Sequence, residues 1–172
     1  MVDYLTENYS NIILTILTII GMSKIFINNN ISWWKSLIPV YNEYTFTKYV
    51  AKEDGLAKKV SISCIAFIII SFIFGIYMGF VYAEAFNSAT NYIAVEELEK
   101  YLTANPNLSL GIFILSILTL LSFILYFIYW VKVRYRFTLK NNMNGWFILV
   151  WIFLSPFMYI YFGFFKKGDI SE

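Results

Sequence analysis

Residues 60–82 read VSISCIAFIIISFIFGIYMGFVY, 23 residues without one charged side chain. At about 1.5 Å per residue a helix of that length covers roughly 35 Å, slightly more than the ~30 Å of hydrocarbon in a bilayer. A helix that is apolar on every side has no face to offer water. A chain of 172 residues makes one domain, and a domain of that size has no core large enough to hide such a helix on all sides. The stretch therefore predicts a transmembrane helix.

Three further runs surround it. Residues 110–131 are again uncharged and end on Tyr126, Tyr129 and Trp130, followed by Lys132, Arg134, Arg136 and Lys140. Residues 11–27 are rich in isoleucine and carry Lys24 near their end, where its ammonium can snorkel to the interface. A cleaved signal peptide competes with a retained helix there, but residues 1–10 hold Asp3 and Glu7 and no basic residue, and a signal peptide needs a basic start. Residues 145–165 form the last run, with Trp146, Trp151, Pro156, Tyr159 and Tyr161. The fold class expected is all-α: a polytopic integral membrane protein with four transmembrane helices in a single membrane domain, 1–172. Pro156 lies in mid-run, so three crossings plus a re-entrant fourth segment is the alternative.

Composition agrees. The chain is 59% hydrophobic and 14% charged, with a mean hydropathy of +0.64, against about 25% charged residues in a soluble domain. A net charge of +2 does not call for a nucleic-acid partner. There is no histidine, which removes the commonest general base and metal ligand, and neither a metal nor any other cofactor is expected. One cysteine, Cys64, excludes an intrachain disulfide and reads as a small buried hydrophobe. Heavy use of Ile, Phe, Asn, Lys and Tyr fits an AT-rich bacterial genome.

Residues 31–52 are aromatic but carry Lys35, Glu43, Lys48 and Lys52 and are broken by Pro39. Each charge would cost about 2.5–3.5 kcal/mol in mid-membrane. The segment is expected to lie along the interface, with a short helix after Pro39 and with Trp33, Trp34, Lys35, Tyr41 and Tyr44 as anchors. Trp130 and Trp146 are expected to anchor the later helices in the same way. Residues 52–55 and Lys58-Lys59 read as a solvated connection. Gly75 and Gly79, four apart, form a G-x-x-x-G pattern suited to helix contact within the chain or between chains. Residues 83–109 are the one long polar stretch, an acidic outer loop in which 95–102 can form a short helix and Glu96, Glu97 and Glu99 are candidate partner-facing residues.

With four crossings the loops after the first and third spans share a side and hold ten of the thirteen basic residues. The basic-loop bias places that side in the cytoplasm of a bacterial plasma membrane and both termini outside. Lys166-Lys167 would then be carried out, and a re-entrant last segment would bring them back. Asn29-Asn30-Ile31-Ser32-Trp33-Trp34 also aligns with Asn141-Asn142-Met143-Asn144-Gly145-Trp146, a match expected of two interfacial turns by chance as well as of a repeat.

Catalytic patterns are few. No metalloprotease, nucleophile-elbow or phosphate-loop motif occurs. Glu53-Asp54 and the 96–99 carboxylates point to different helix faces and read as solvated surface. Ser32, Ser36 and Lys35 offer a serine–lysine grouping at a membrane face, where anchoring accounts better for Lys35.

The run Trp33-Trp34-Lys35-Ser36-Leu37-Ile38-Pro39-Val40-Tyr41-Asn42-Glu43-Tyr44 resembles the W-x-x-L-I-P-x-Y-N-x-Y segment of small, uncharacterised bacterial multi-pass membrane proteins. Related segments occur in the membrane region preceding some signal peptidase I domains. Pro156 to Gly163 resembles a shortened form of that family's closing P-x-x-Y-x-x-x-x-F-G pattern, and Asn144-Gly145-Trp146 sits where the family places a glycine turn. The resemblance implies a helical membrane fold and no known reaction, and no peptidase domain follows here to carry that activity over. The reading is a non-catalytic membrane subunit or accessory protein that binds other membrane proteins or a second copy of itself. A small oligomeric transporter or channel is the alternative, and an interfacial enzyme using Lys35, Glu43 and nearby tyrosines is a third.

Overall fold

The structure is a computed structural model that describes residues 2–88 and 95–166, with side chains described for 9–85 and 98–166. Its helices are α1 (Val2–Asn28), α2 (Pro39–Thr45), α3 (Asp54–Ser88), α4 (Val95–Ala104), α5 (Pro106–Lys140) and α6 (Phe147–Ile160). A 3-10 turn covers Trp33–Leu37, and π-turns extend α2 over Phe46–Val50 and α6 over Tyr161–Phe165. Among the described residues there is no strand. Four stretches are long and apolar enough to cross a membrane: Tyr9–Asn28, Asp54–Ala85, Pro106–Lys140 and Phe147–Phe165. The chain is an all-α, multi-pass membrane protein.

The four apolar runs read from the sequence are all helical, but α3 and α5 are much longer than their uncharged cores, with 35 residues each. Their polar ends, around Lys58-Lys59 and Lys132 to Lys140, stay helical because no proline interrupts them and the one glycine there, Gly55, falls in the first turn of α3. The chain divides into two compact units, Met1–Ser61 with Ile128–Glu172, and Ile62–Phe127.

The second unit is a helical hairpin of α3 and α5 with α4 between them in sequence. Tyr77 donates its hydroxyl to the Leu108 carbonyl at 3.2 Å. Gly111 leaves room for that ring, since a Cβ there would lie 2.7 Å from its Cζ. Phe67 packs against Phe123 and Tyr126, with ring centroids 5.5 and 6.2 Å away. The short helix expected over 95–102 is α4, tied back by a 3.0 Å hydrogen bond from the Tyr101 hydroxyl to Glu84.

The first unit is held by helix ends. α1 and α5 each finish on an asparagine in the left-handed conformation, Asn30 (φ 56°) and Asn142 (φ 54°), which asparagine tolerates better than other side chains. In both, the next amide closes the turn five residues back: Ile31 N–H to the Phe26 carbonyl at 2.8 Å and Met143 N–H to the Thr138 carbonyl at 3.2 Å. Asn29 and Asn141 repeat one further bond, each side-chain amide donating to the carbonyl four residues earlier, at 2.8 and 2.9 Å. The aligned hexapeptides are thus the same turn in geometry. The shared cause is asparagine chemistry at a helix C-terminus.

α6 is bent. Leu154 leaves helical dihedrals (φ −131°, ψ 36°), two residues before Pro156, whose ring lacks an N–H and disfavours the helical conformation just before it. The bend reverses the chain. Trp151 and Phe162 stack with centroids 5.8 Å apart, although eleven residues of straight helix would separate them by ~16 Å. The returning arm runs alongside α1 and α5 in their direction. Tyr159 meets Arg134, Phe162 meets Phe137 at 4.7 Å, and Lys166 donates to the Asn141 carbonyl. On the other flank Asn28 donates to the Gly163 carbonyl at 2.8 Å. Gly21 and Gly163 make this crossing possible. A Cβ on Gly21 would lie 2.6 Å from the Tyr159 carbonyl carbon, and one on Gly163 would lie 2.8 Å from the Gly21 oxygen.

Candidate functional site: a buried arginine under aromatic cover

Proline is well placed at a helix start, where a missing N–H costs nothing, and Pro39 opens α2. One turn later the helix puts Glu43 inward, 7% exposed, while Tyr41 faces out at 37%. The π-turn that follows buries Phe46, Thr47 and Val50. On α5 the inward stripe is Val133, Arg134, Phe137 and Thr138, spaced as one helix face. Arg136 and Lys140 occupy another face and are exposed.

These two elements meet at Arg134, which is fully buried. Its guanidinium donates Nη1 to Glu43 Oε2 at 2.8 Å and Nη2 to Oε1 at 2.9 Å, a bidentate fork. Nη2 also donates to the Tyr159 hydroxyl at 2.5 Å. Rings enclose the pair: the guanidinium carbon lies 4.3 Å from the centroid of Phe46, 5.0 Å from Trp130, 5.7 Å from Tyr159 and 5.8 Å from Trp151. Beneath it the Thr138 hydroxyl accepts from Trp151 Nε1 at 3.0 Å and donates to the Arg134 carbonyl at 2.7 Å. Removing both charges from water costs several kcal/mol per ion, so the pair persists only because its geometry is near ideal. Among the described residues Arg134 Nε is buried without a hydrogen-bond partner, which leaves ring faces to supply the remaining attraction.

A second network lies beside it. Glu53 accepts from Arg136 at 2.6 Å and Lys140 at 2.8 Å, and Lys140 also donates to the Ala51 carbonyl at 2.9 Å. Burial pushes the Glu53 carboxyl up, but the hydrogen bonds and charges of Lys140 and Arg136 outweigh it and hold the group below its ordinary range. Read from sequence as solvated surface, Glu53 is instead 13% exposed and paired, because the chain turns inward after Lys52, whose φ is 53°. Asp54 does face solvent, at 84% exposure.

Trp33, Trp34 and Trp146 are exposed at 54%, 46% and 74%. Trp34 stacks on Tyr41 at 5.9 Å, and the Lys35 ammonium sits over the same tyrosine ring at 5.6 Å, so three of the expected anchors form one patch. Tyr44 is half-buried and accepts from Lys48 at 3.2 Å. Trp130 faces the arginine. Gly75 and Gly79 have open space at both Cβ positions, so nothing in the described chain packs on them. Glu99 is exposed on α4, whereas the side chains of Glu96 and Glu97 lie outside the described residues.

Sequence reasoning missed Arg134 and Tyr159 as site residues and the Gly21–Gly163 crossing. Arg134 read as one more charge of a basic loop. Two signals pointed further: its place in the stripe with Val133, Phe137 and Thr138, and a lone carboxylate, Glu43, inside an aromatic segment that needs a cation. Comparison of the chain with protein families, curated proteins and solved structures gives no match.

Proposed function

We propose that the chain is a non-catalytic membrane subunit or accessory protein that binds other membrane proteins or a second copy of itself. In this reading it sits in a bacterial plasma membrane with its basic loops in the cytoplasm and its N-terminus outside. The observation that carries the reading is the outward face of α3. Gly75 and Gly79 leave a groove there with nothing packed in it, rimmed by Phe72, Ile76 and Phe80, which are 69%, 47% and 67% exposed. Two small residues one turn apart let a second helix approach to backbone distance. The buried polar chemistry supports the same reading. Glu43, the carboxylate an interfacial enzyme would use, has both oxygens bonded to Arg134 under aromatic cover. A photo-crosslinking residue at Ile76, in otherwise intact membranes, is expected to trap a helix of another chain. That product should disappear when Gly79 is replaced by leucine. Equal trapping with and without the replacement would remove the groove as a contact.

The second reading, a small oligomeric transporter or channel, draws on the bend at Leu154 and Pro156. Bent or broken helices at membrane depth usually line a protein interior or a wet path. Flux into vesicles holding the purified chain, above that of empty vesicles, favours this reading, and its absence counts against it.

A further inference from the structure

We propose that the last apolar run enters and leaves the bilayer on one side, so that Lys166, at its end, lies with the basic loops rather than across the membrane from them. Residues 145–165 are apolar enough to cross, but their path is a hairpin. The arms, 147–153 and 156–165, are about 10 and 15 Å long, and neither reaches across ~30 Å of hydrocarbon. The stacked Trp151 and Phe162 rings place the two arms side by side. The return arm ends at a fixed place, since Gly163 accepts from Asn28 and Lys166 donates to Asn141. Asn28 is the last residue of α1 and Asn141 follows the last residue of α5, and the loop 141–146, from which the hairpin sets out, begins at that same point. The ammonium of Lys166 thus meets a carbonyl at the C-terminal end of α5, where the helix dipole favours a cation.

Charge gives independent support. Four crossings carry Lys166 and Lys167 away from the other basic residues. With the hairpin, eleven of the twelve basic residues among the described residues lie on one side, and Lys100 lies on the other. Topology follows such a bias, and the shorter path leaves Lys100 as its exception. The wedge also accounts for Gly21. A re-entrant arm squeezed between α1 and α5 needs a side chain missing from its neighbour, and the Gly21 backbone touches the Tyr159 backbone.

The test uses the full chain with Cys64→Ser and a single new cysteine at Asn144, Phe165 or Asn107, probed with a membrane-impermeant maleimide in sealed and in inverted vesicles. Phe165 is 77% exposed and Asn144 lies in an exposed turn, so neither substitution disturbs the core. The hairpin predicts that F165C and N144C label in the same preparation and N107C in the opposite one. F165C labelling together with N107C would overturn it. Only sameness of side is read, so the result does not depend on which side is cytoplasmic or on what the protein binds. A second measurement pairs N141C with K166C and adds a short bismaleimide to membranes. Neighbouring positions should bridge within one chain, whereas a straight 19-residue helix sets its ends ~28 Å apart; absence of the bridged peptide by mass spectrometry is the contrary result.

Discussion

Replacing one partner of the buried pair, Arg134→Met or Glu43→Leu, strands a charge under aromatic cover. The side chains are 0% and 9% exposed, and two short hydrogen bonds join them. Removing one member of such a pair costs ~3–5 kcal/mol, because the survivor keeps its desolvation penalty and loses its compensation. At about 2–4 °C per kcal/mol for a chain of this size, each single variant should lose roughly 6–20 °C in melting temperature. The double variant removes both charges, and only the bond to Tyr159 and some ring contact are lost outright. It should therefore lie within ~1–2 kcal/mol of the parent, far from the sum of the singles. Thermal unfolding in one detergent, followed by tryptophan fluorescence for the four proteins of the cycle, measures the coupling directly. Trp151 and Trp130 report from within the site. Additive losses, or single variants that melt within ~1 kcal/mol of the parent, would refute the reasoning and make the pair a surface-grade contact.

Other consequences follow from the same geometry. Because the folded Glu53 carboxyl titrates below its ordinary value of 4.5, its stabilisation is complete above the unfolded carboxylate range and fades as pH falls through the folded value. Glu53→Gln should cost about 1 kcal/mol at neutral pH, as partly exposed networks do, and the cost should vanish in acid; a cost that is the same at both pH values contradicts the assignment. Gly21→Leu forces α1 off the return arm and should lose ~1–3 kcal/mol or more through overpacking, while Gly75→Leu leaves the thermal stability of the isolated chain unchanged. Equal effects of the two on melting would show that α1 and the hairpin are not in contact.

The membrane fold was legible in the sequence because hydrocarbon demands uncharged runs of fixed length, and 60–82 and 110–131 satisfy that without ambiguity. Helix ends were legible where special residues mark them: Asn30 and Asn142 close turns, Pro39 opens α2, and Pro156 announces the bend in α6. What the bend does was not legible. Whether a proline kinks a spanning helix or folds it back depends on whether Trp151 and Phe162 find each other, and that is a long-range packing event. The site was half visible for the same reason. Glu43 and Arg134 stand 91 positions apart, and no local pattern distinguishes an arginine that snorkels outward from one that turns inward to a carboxylate. Gly21 and Gly163 lack the four-residue spacing that made Gly75 and Gly79 conspicuous, yet theirs is the close crossing within the chain.

The proposed role, a lipid-embedded binding partner, requires that the open groove on α3 receive another helix. Its most direct test is the mass of the particle excised from native membranes in polymer-bounded discs, for the parent and for Gly75→Leu with Gly79→Leu. The parent is expected to travel with a second protein chain, another membrane protein or a second copy, and the double variant to travel alone. A parent chain found alone, or a companion retained by both proteins, would contradict it.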